Sequence, residues 1–164
     1  MSNKYENSFL DSGLWEKNNG ILSAIDSVSQ VVNKAKEKII IYHEKLDNKL
    51  YGDVVVFSNI EKQLINKIKV EMYYHEINEL SGTNIIIDYF NLRYPDFFSC
   101  KQVTDTNRLL VNFIISDSKY VRIEFGKEQN KARYIVDDNE VKLSVAKRYI
   151  DSLEKDLKII CTSK

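Results

Sequence analysis

Apolar residues recur at alternating spacings of four and three between Gly20 and Gly52, a stretch that contains no proline or internal glycine. This spacing is typical of one face of an α-helix. It predicts a helix over residues 20–50 with an apolar seam roughly 45 Å long at 1.5 Å per residue. The seam consists of Ile21, Ile25, Val28, Val32, Ala35, Ile39, Tyr42 and Leu46.

The predicted seam must be buried, either against the rest of this chain or against a partner helix. Lys36, Lys38 and Lys45 lie beside it, so a two-stranded coiled coil lacks opposite charges at its flanking positions. This favours packing within the chain. A homodimer through the first helix, or a pairing with another protein's helix, is the alternative.

The segment after the first helix predicts an extended run and two further helices. Three consecutive valines in 53–57 favour a short strand or connector. Ser58 and Glu61 match a capping box that would start a helix ending near Leu80. Residues 84–94 fit a strand or a short helix, and the stop at Pro95 favours the helix.

The period of the pattern changes to two between Phe98 and Val136, with turn residues at three places. This predicts a four-stranded antiparallel meander over residues 98–104, 108–116, 119–126 and 131–136. Residues 140–160 return to helical spacing and predict a C-terminal helix packed on the sheet. The predicted fold class is α+β, with an N-terminal arm over 1–19 and one domain over 20–164.

Composition narrows the class of protein. The 164 residues suit one domain, and 24 basic side chains balance 24 acidic ones, so any binding of nucleic acid would rest on a local patch. The sequence predicts neither a signal peptide nor a membrane span, and Cys100 and Cys161 are too far apart for a zinc cluster. We therefore expect a cytoplasmic protein with reduced thiols.

No motif identifies a catalytic residue, a metal site or a cofactor. The chain has no phosphate-binding glycine loop, and neither histidine can be placed beside Cys100 to activate it. Glu71, His75 and Glu79 share one face of the predicted second helix, which a solvated charged face explains better than a metal. We expect no cofactor and no metal.

One arrangement of acidic residues approximates a metal-dependent nuclease. Asp96 precedes Glu124 in the chain, and Lys127 follows Glu124 by three positions. On a strand Lys127 would face away from Glu124, because successive side chains alternate between faces. The nuclease reading is therefore weaker than a non-catalytic one.

Candidate binding residues come from aromatic and arginine side chains. Trp15 in the arm, and Arg93, Tyr94 and Phe97 in an aromatic segment over 89–98, are residue types that anchor protein interfaces. The same residues could instead close the core. A second candidate patch on one face of the meander consists of Tyr120, Arg122 and Arg133, with Glu124 among them.

These observations favour a non-catalytic interaction protein, such as an inhibitor, immunity protein or accessory regulator, that occludes a protein partner's surface. The richness in Ile, Lys, Asn and Tyr, which have AT-rich codons, suits a phage or mobile element of an AT-rich bacterium. The alternative is a nucleic-acid-binding protein that uses Lys34, Lys38 and Lys45 or the Arg122 and Arg133 face. An unrecognised enzyme, such as a metal-dependent nuclease, is the third hypothesis.

Overall fold

The computed structural model describes residues 13–46, 48–77, 83–105, 109, 111–125 and 131–162. Its centre is a seven-stranded mixed sheet in the order β1-β7-β6-β5-β2-β3-β4. The strands are β1 (Glu16–Asn19), β2 (Lys38–Leu46), β3 (Lys69–Ile77), β4 (Phe98–Gln102), β5 (Val111–Ser116), β6 (Tyr120–Phe125) and β7 (Lys131–Ile135). The helices are α1 (Ile21–Asn33), α2 (Asn48–Tyr51), α3 (Val54–Ile65), α4 (Thr83–Arg93) and α5 (Glu140–Thr162).

The sheet is covered on both faces, so the protein has two apolar layers. On one face α1, α3 and α4 pack over residues such as Ile39 and Val70. On the other face α5 packs over residues such as Phe113 and Ile123. No helix within the described ranges is long and apolar enough to cross a membrane.

The predicted long helix over 20–50 is wrong. Helix α1 ends at Asn33, and the second half of the apolar seam forms β2, an interior strand of the sheet. This strand has buried residues on both faces, so the consecutive Ile39, Ile40 and Ile41 suit it, and β-branched side chains favour a strand. The continuous seam that a homodimer through the first helix would need is therefore not formed.

The predicted boundaries of the second helix are also wrong. Helix α3 begins at Val54, in place of the expected strand, and the Asp53 carboxylate caps it by accepting from the N–H groups of Val55 and Val56. The expected capping box at 58–61 lies inside this helix. Lys67 then adopts a left-handed φ of 64°, and the chain continues as β3 where helix was predicted.

The prediction of a short helix over residues 84–94 and the prediction of a C-terminal helix are confirmed. Helix α4 occupies the ambiguous segment and ends two residues before Pro95. Helix α5 covers the predicted range and buries Ile150, Leu153 and Leu157 against the sheet.

The four-stranded antiparallel meander is wrong, although all four strands exist near their predicted positions. Only β5, β6 and β7 pair antiparallel in sequence. Strand β4 instead pairs parallel with β3, because α4 connects them as a crossover, and β5 pairs with β2. The result is a seven-stranded mixed sheet with parallel and antiparallel halves that meet at β2.

A single carboxylate fixes the start of β2. The turn between β5 and β6 contains Asp117, whose φ is 55°. Its carboxylate accepts from the backbone N–H groups of Lys36, Glu37 and Lys38 at 2.7, 3.0 and 2.9 Å. The Asp117 N–H donates in turn to the Lys38 carbonyl at 2.9 Å. The loop from α1 to β2 is thereby fastened to the β5–β6 turn.

We expect Asp117→Asn to lower the free energy of unfolding by about 1–2 kcal/mol, because one carboxylate oxygen becomes an amide that cannot accept from Lys36. Asparagine tolerates the left-handed backbone, so the variant isolates the lost hydrogen bond. Urea unfolding followed by circular dichroism measures the effect. Asp151→Asn, on the exposed surface of α5, is the control and should change stability by less than about 0.5 kcal/mol. Equal stability of both variants would contradict this role of Asp117.

Candidate functional site

Lysines gather at the end of the sheet where β2 and β3 begin. Lys38 and Lys69 are direct partners across these parallel strands, and Lys36 and Lys67 precede them by two residues each. Neighbouring strands are about 4.8 Å apart, so the set is compact. Lys34 at the end of α1 and Lys119 in the β5–β6 turn extend it. We call this surface the lysine edge: Lys34, Lys36, Lys38, Lys67, Lys69 and Lys119.

Half of the lysine edge is paired with carboxylates. Lys34 and Lys119 both contact Asp138, with N–O distances of 3.5 and 3.2 Å, and both ammonium groups lie about 5 Å from the centre of the Tyr120 ring. Lys38 pairs with Glu71 at 3.0 Å. These contacts orient three of the six lysines.

The other half of the lysine edge is exposed and has no counter-charge. Across the described ranges no carboxylate forms an ion pair with Lys36, Lys67 or Lys69. The Asp117 carboxylate, which also lies at this end of the sheet, is held by backbone N–H groups. The edge therefore presents three free ammonium groups to solvent.

Among the predicted aromatic and arginine binding residues, Tyr120 adjoins the lysine edge. The residue is only 7% exposed, and its hydroxyl donates to Asp138. This hydrogen bond, with the one from Lys119, holds the pKa of Asp138 down at about 2. Tyr120 thus supports the lysines from beneath and leaves little of its ring for a ligand.

The other predicted sheet-face residues lie apart from this surface. Arg122 is 1% exposed and lies under α1, where its Nε donates to Ser27 at 2.9 Å. Arg133 projects from the opposite face of the sheet and is half-buried, and its Nη1 donates to the Ala132 carbonyl. The structure does not bring Tyr120, Arg122 and Arg133 together into one patch.

Trp15 and the aromatic segment pack within the fold. Trp15 is 5% exposed and contacts the Tyr149 ring edge-on at 5.4 Å. The Tyr94 hydroxyl donates to Glu61 at 2.8 Å, and Phe97 packs against the core beneath α3 and α4. Arg93 is exposed at the end of α4. The segment therefore closes the core, with Arg93 on its surface.

Arg122 belongs to a buried polar cluster. Its Nη2 lies 3.5 Å from one carboxylate oxygen of Glu124, whose other oxygen is 3.3 Å from His43 Nε2. Asn112 donates to the same carboxylate at 3.4 Å. A buried charge is tolerated only when it is paired and hydrogen-bonded, and these partners meet that requirement for Glu124. The cluster satisfies itself and faces the interior.

The described part of the structure does not assemble the residues of the nuclease hypothesis or of the metal-site hypothesis. Asp96 precedes β4 while Glu124 lies on β6, with three strands between them, and Lys127 lies outside the described residues. Glu71 and His75 are on a strand instead of a helix, and Glu79 also falls outside those residues.

Cys100 is a poor candidate for a nucleophile. Burial raises the pKa of its thiol to about 12, so almost none of it is thiolate at neutral pH. The thiol therefore behaves as a small, partly buried hydrophobe.

Comparison with known proteins finds solved structures of similar fold. No protein-family model and no curated protein matches the chain. TrmBL2, an archaeal chromatin protein whose structure shows a mode of DNA binding, aligns with a TM-score of 0.54 at 12% identity, over 93% of this chain. NucT from Helicobacter pylori aligns with a TM-score of 0.51 at 19% identity, over 85% of this chain and 97% of NucT. Nuc from Salmonella typhimurium, a phospholipase D family member, gives a TM-score of 0.48 at 14% identity, over 76% of this chain and 82% of Nuc.

The two higher scores show that the chain shares an architecture with TrmBL2 and NucT. The chain spans 57% of the TrmBL2 chain, so that protein contains much that has no counterpart here.

Sequence reasoning predicted only part of the lysine edge. Lys34 and Lys38 were candidates for nucleic-acid contact, but Lys45 was grouped with them because all three lay on one predicted helix. In a strand Lys45 is about 23 Å from Lys38, at 3.3 Å per residue. Lys67 and Lys69 join the surface only because β3 pairs with β2, which no local pattern indicates.

We expect Asp138 to stabilise the fold above about pH 4 and to lose this contribution as the pH falls toward 2. Its pKa is lowered from 3.8 to about 2, so the folded state prefers the charged carboxylate. Thermal unfolding of the wild type and of Asp138→Asn between pH 6 and pH 2 tests this. The difference in Tm should shrink below pH 4, and a difference that is constant with pH would contradict it.

We expect Glu124→Leu to destabilise the protein by about 3–5 kcal/mol, because it leaves Arg122 buried without its counter-charge. The double variant Arg122→Met/Glu124→Leu should be less destabilised than the sum of the two single variants, since it removes both charges. Urea unfolding of the four proteins measures the coupling. Strict additivity would show that the two side chains do not interact.

Proposed function

We propose that this protein binds DNA through the lysine edge, by contacts to the phosphate backbone. The observation that carries the proposal is the set of three exposed, unpaired ammonium groups of Lys36, Lys67 and Lys69 beside the paired lysines of the same edge. Ammonium groups contact phosphates as point charges and release the counterions condensed on DNA. Such binding reads the backbone, so we expect little dependence on base sequence.

The fold supports the same reading. TrmBL2, with which this chain shares its architecture, binds DNA in a mode that its structure shows. This similarity supports the nucleic-acid alternative over the inhibitor or regulator that the sequence favoured. It does so at the level of the fold, because identity is 12% and the chain spans 57% of TrmBL2.

The dimensions of the lysine edge suit a short stretch of backbone. The edge crosses the ends of four neighbouring strands, from β6 through β5 and β2 to β3, so at about 4.8 Å between strands it spans roughly 15 Å. One DNA strand carries a phosphate about every 3.4 Å of helix axis, so about four phosphates lie within reach. The balanced net charge leaves the rest of the surface without a strong attraction for DNA.

The decisive test measures the salt dependence of binding. Fluorescence anisotropy with a labelled 20-base-pair duplex, at salt concentrations from 25 to 250 mM, gives the slope of log K against log salt. The triple variant Lys36→Gln/Lys67→Gln/Lys69→Gln should bind more weakly, and the magnitude of its slope should fall by about 2–3, since each lost phosphate contact removes about 0.9.

A matched triple variant removes the same charge elsewhere. Lys17, Lys45 and Lys49 are exposed and lie away from the lysine edge, on β1, at the far end of β2 and on α2. Their replacement by glutamine should leave the slope within about 1 of the wild type. If this control loses binding as strongly as the first triple variant, or if the first triple variant binds like the wild type, the lysine edge is not the DNA interface.

A further inference from the structure

A cleft of about 380 Å³ opens beside the lysine edge, between the C-terminal half of α5 and one face of β2 and β3. This size falls within the range of about 300–1,000 Å³ that small-ligand sites occupy. Lys38 belongs to both the cleft and the lysine edge. A strand whose phosphates lie on the edge would therefore pass the mouth of the cleft.

The cleft combines a stacking surface with hydrogen-bond acceptors. The half-buried ring of Tyr73, with Ile40 and Leu157, supplies the apolar and aromatic lining. The carboxylates of Glu71 and Glu154 are the acceptors. Such a lining, mostly apolar with a few directed polar groups, is typical of a site for a planar organic ligand.

The Glu71 carboxylate is held in place and keeps capacity for a ligand. It accepts from the Tyr73 hydroxyl at 3.1 Å and contacts the Lys38 ammonium at 3.0 Å. A carboxylate offers about four lone-pair sites, so these two contacts leave room for another donor. Burial, and then the Glu71 charge, raise the pKa of Tyr73, so its hydroxyl keeps the proton that it donates.

We propose that the cleft binds one unpaired nucleobase of a DNA strand whose phosphates contact the lysine edge. The inference rests on the proposed function and deepens it. Tyr73 supplies a face on which a base stacks, and Lys158, an exposed residue of the lining, supplies charge for a flanking phosphate. A base inside a duplex is stacked and paired, so the cleft favours single-stranded or unpaired DNA.

The acceptors of the cleft predict which base it prefers. Cytosine presents an amino group that donates to a carboxylate, whereas thymine presents the O4 acceptor at the same position. Glu71 and Glu154 therefore favour cytosine over thymine. Because the Glu71 charge is already paired with Lys38, we expect the added hydrogen bond to contribute like an ordinary one, which corresponds to about a three- to tenfold difference in affinity.

The test compares two single-stranded 12-mers, dC12 and dT12, which have equal charge and the same pyrimidine frame. In fluorescence anisotropy at fixed salt the wild type should bind dC12 about three- to tenfold more tightly than dT12. Glu71→Gln should reduce this ratio to below about twofold, because its amide also donates to thymine O4. The control Glu76→Gln, at the other end of β3, should keep the wild-type ratio.

A second variant tests stacking. Tyr73→Leu should weaken binding of dC12 about fivefold or more and leave duplex binding within twofold, since stacking contributes only for an exposed base. Tyr89→Leu, which removes an exposed ring on α4, is the matched control and should bind dC12 like the wild type. Circular dichroism and Tm confirm that each variant is folded before its affinity is compared.

Failure of this inference is separable from failure of the proposed function. Equal wild-type affinity for dC12 and dT12, or an unchanged ratio in Glu71→Gln, overturns the cleft as a base site. If the lysine-edge triple variant still loses duplex binding, the DNA interface stands without it. If that triple variant binds like the wild type, both proposals fall.

Discussion

The hydrogen bonds of one carboxylate determine where β2 begins, the strand at which the parallel and antiparallel halves of the sheet meet. Asp117 accepts from three successive backbone N–H groups and thereby replaces the pairing that a longer helix or strand would give them. These bonds join the turn between β5 and β6, in the antiparallel half of the sheet, to the first residue of β2. Because β3 pairs in parallel with β2, its first residue is fixed at the same level.

Both proposed binding features depend on this arrangement. The lysine edge is formed by the starts of β2 and β3 and by the turn that contains Asp117, and the cleft lies directly behind it. Lys38 has a double role, since its backbone N–H donates to Asp117 and its side chain contacts Glu71 in the cleft wall. A change in the position of this strand end would therefore alter the edge and the cleft together.

Local patterns identified the elements in the second half of the chain but failed for β2 and β3, both of which they predicted as helix. Helix α5 and strands β5 to β7 were located closely, and α4 was chosen correctly from the stop at Pro95. The seam from Ile21 to Leu46 was misread because β2 is buried on both faces, so its apolar residues fit helical spacing by coincidence. Lysines from β2 and β3 become neighbours only because the two strands pair, and the spacing of residues in the sequence does not predict which strands pair.

The net charge of zero does not indicate where the acidic and basic side chains lie in the structure. At the end of the sheet Asp117 is held by backbone N–H groups, and Asp138 takes part of its stabilisation from the Tyr120 hydroxyl. Glu124, which sequence reasoning placed in a surface patch, is buried, and its carboxylate contacts Arg122 and His43. Acidic side chains that balance the lysines in number thus do not balance them in space, and Lys36, Lys67 and Lys69 retain free charge as a consequence of the fold.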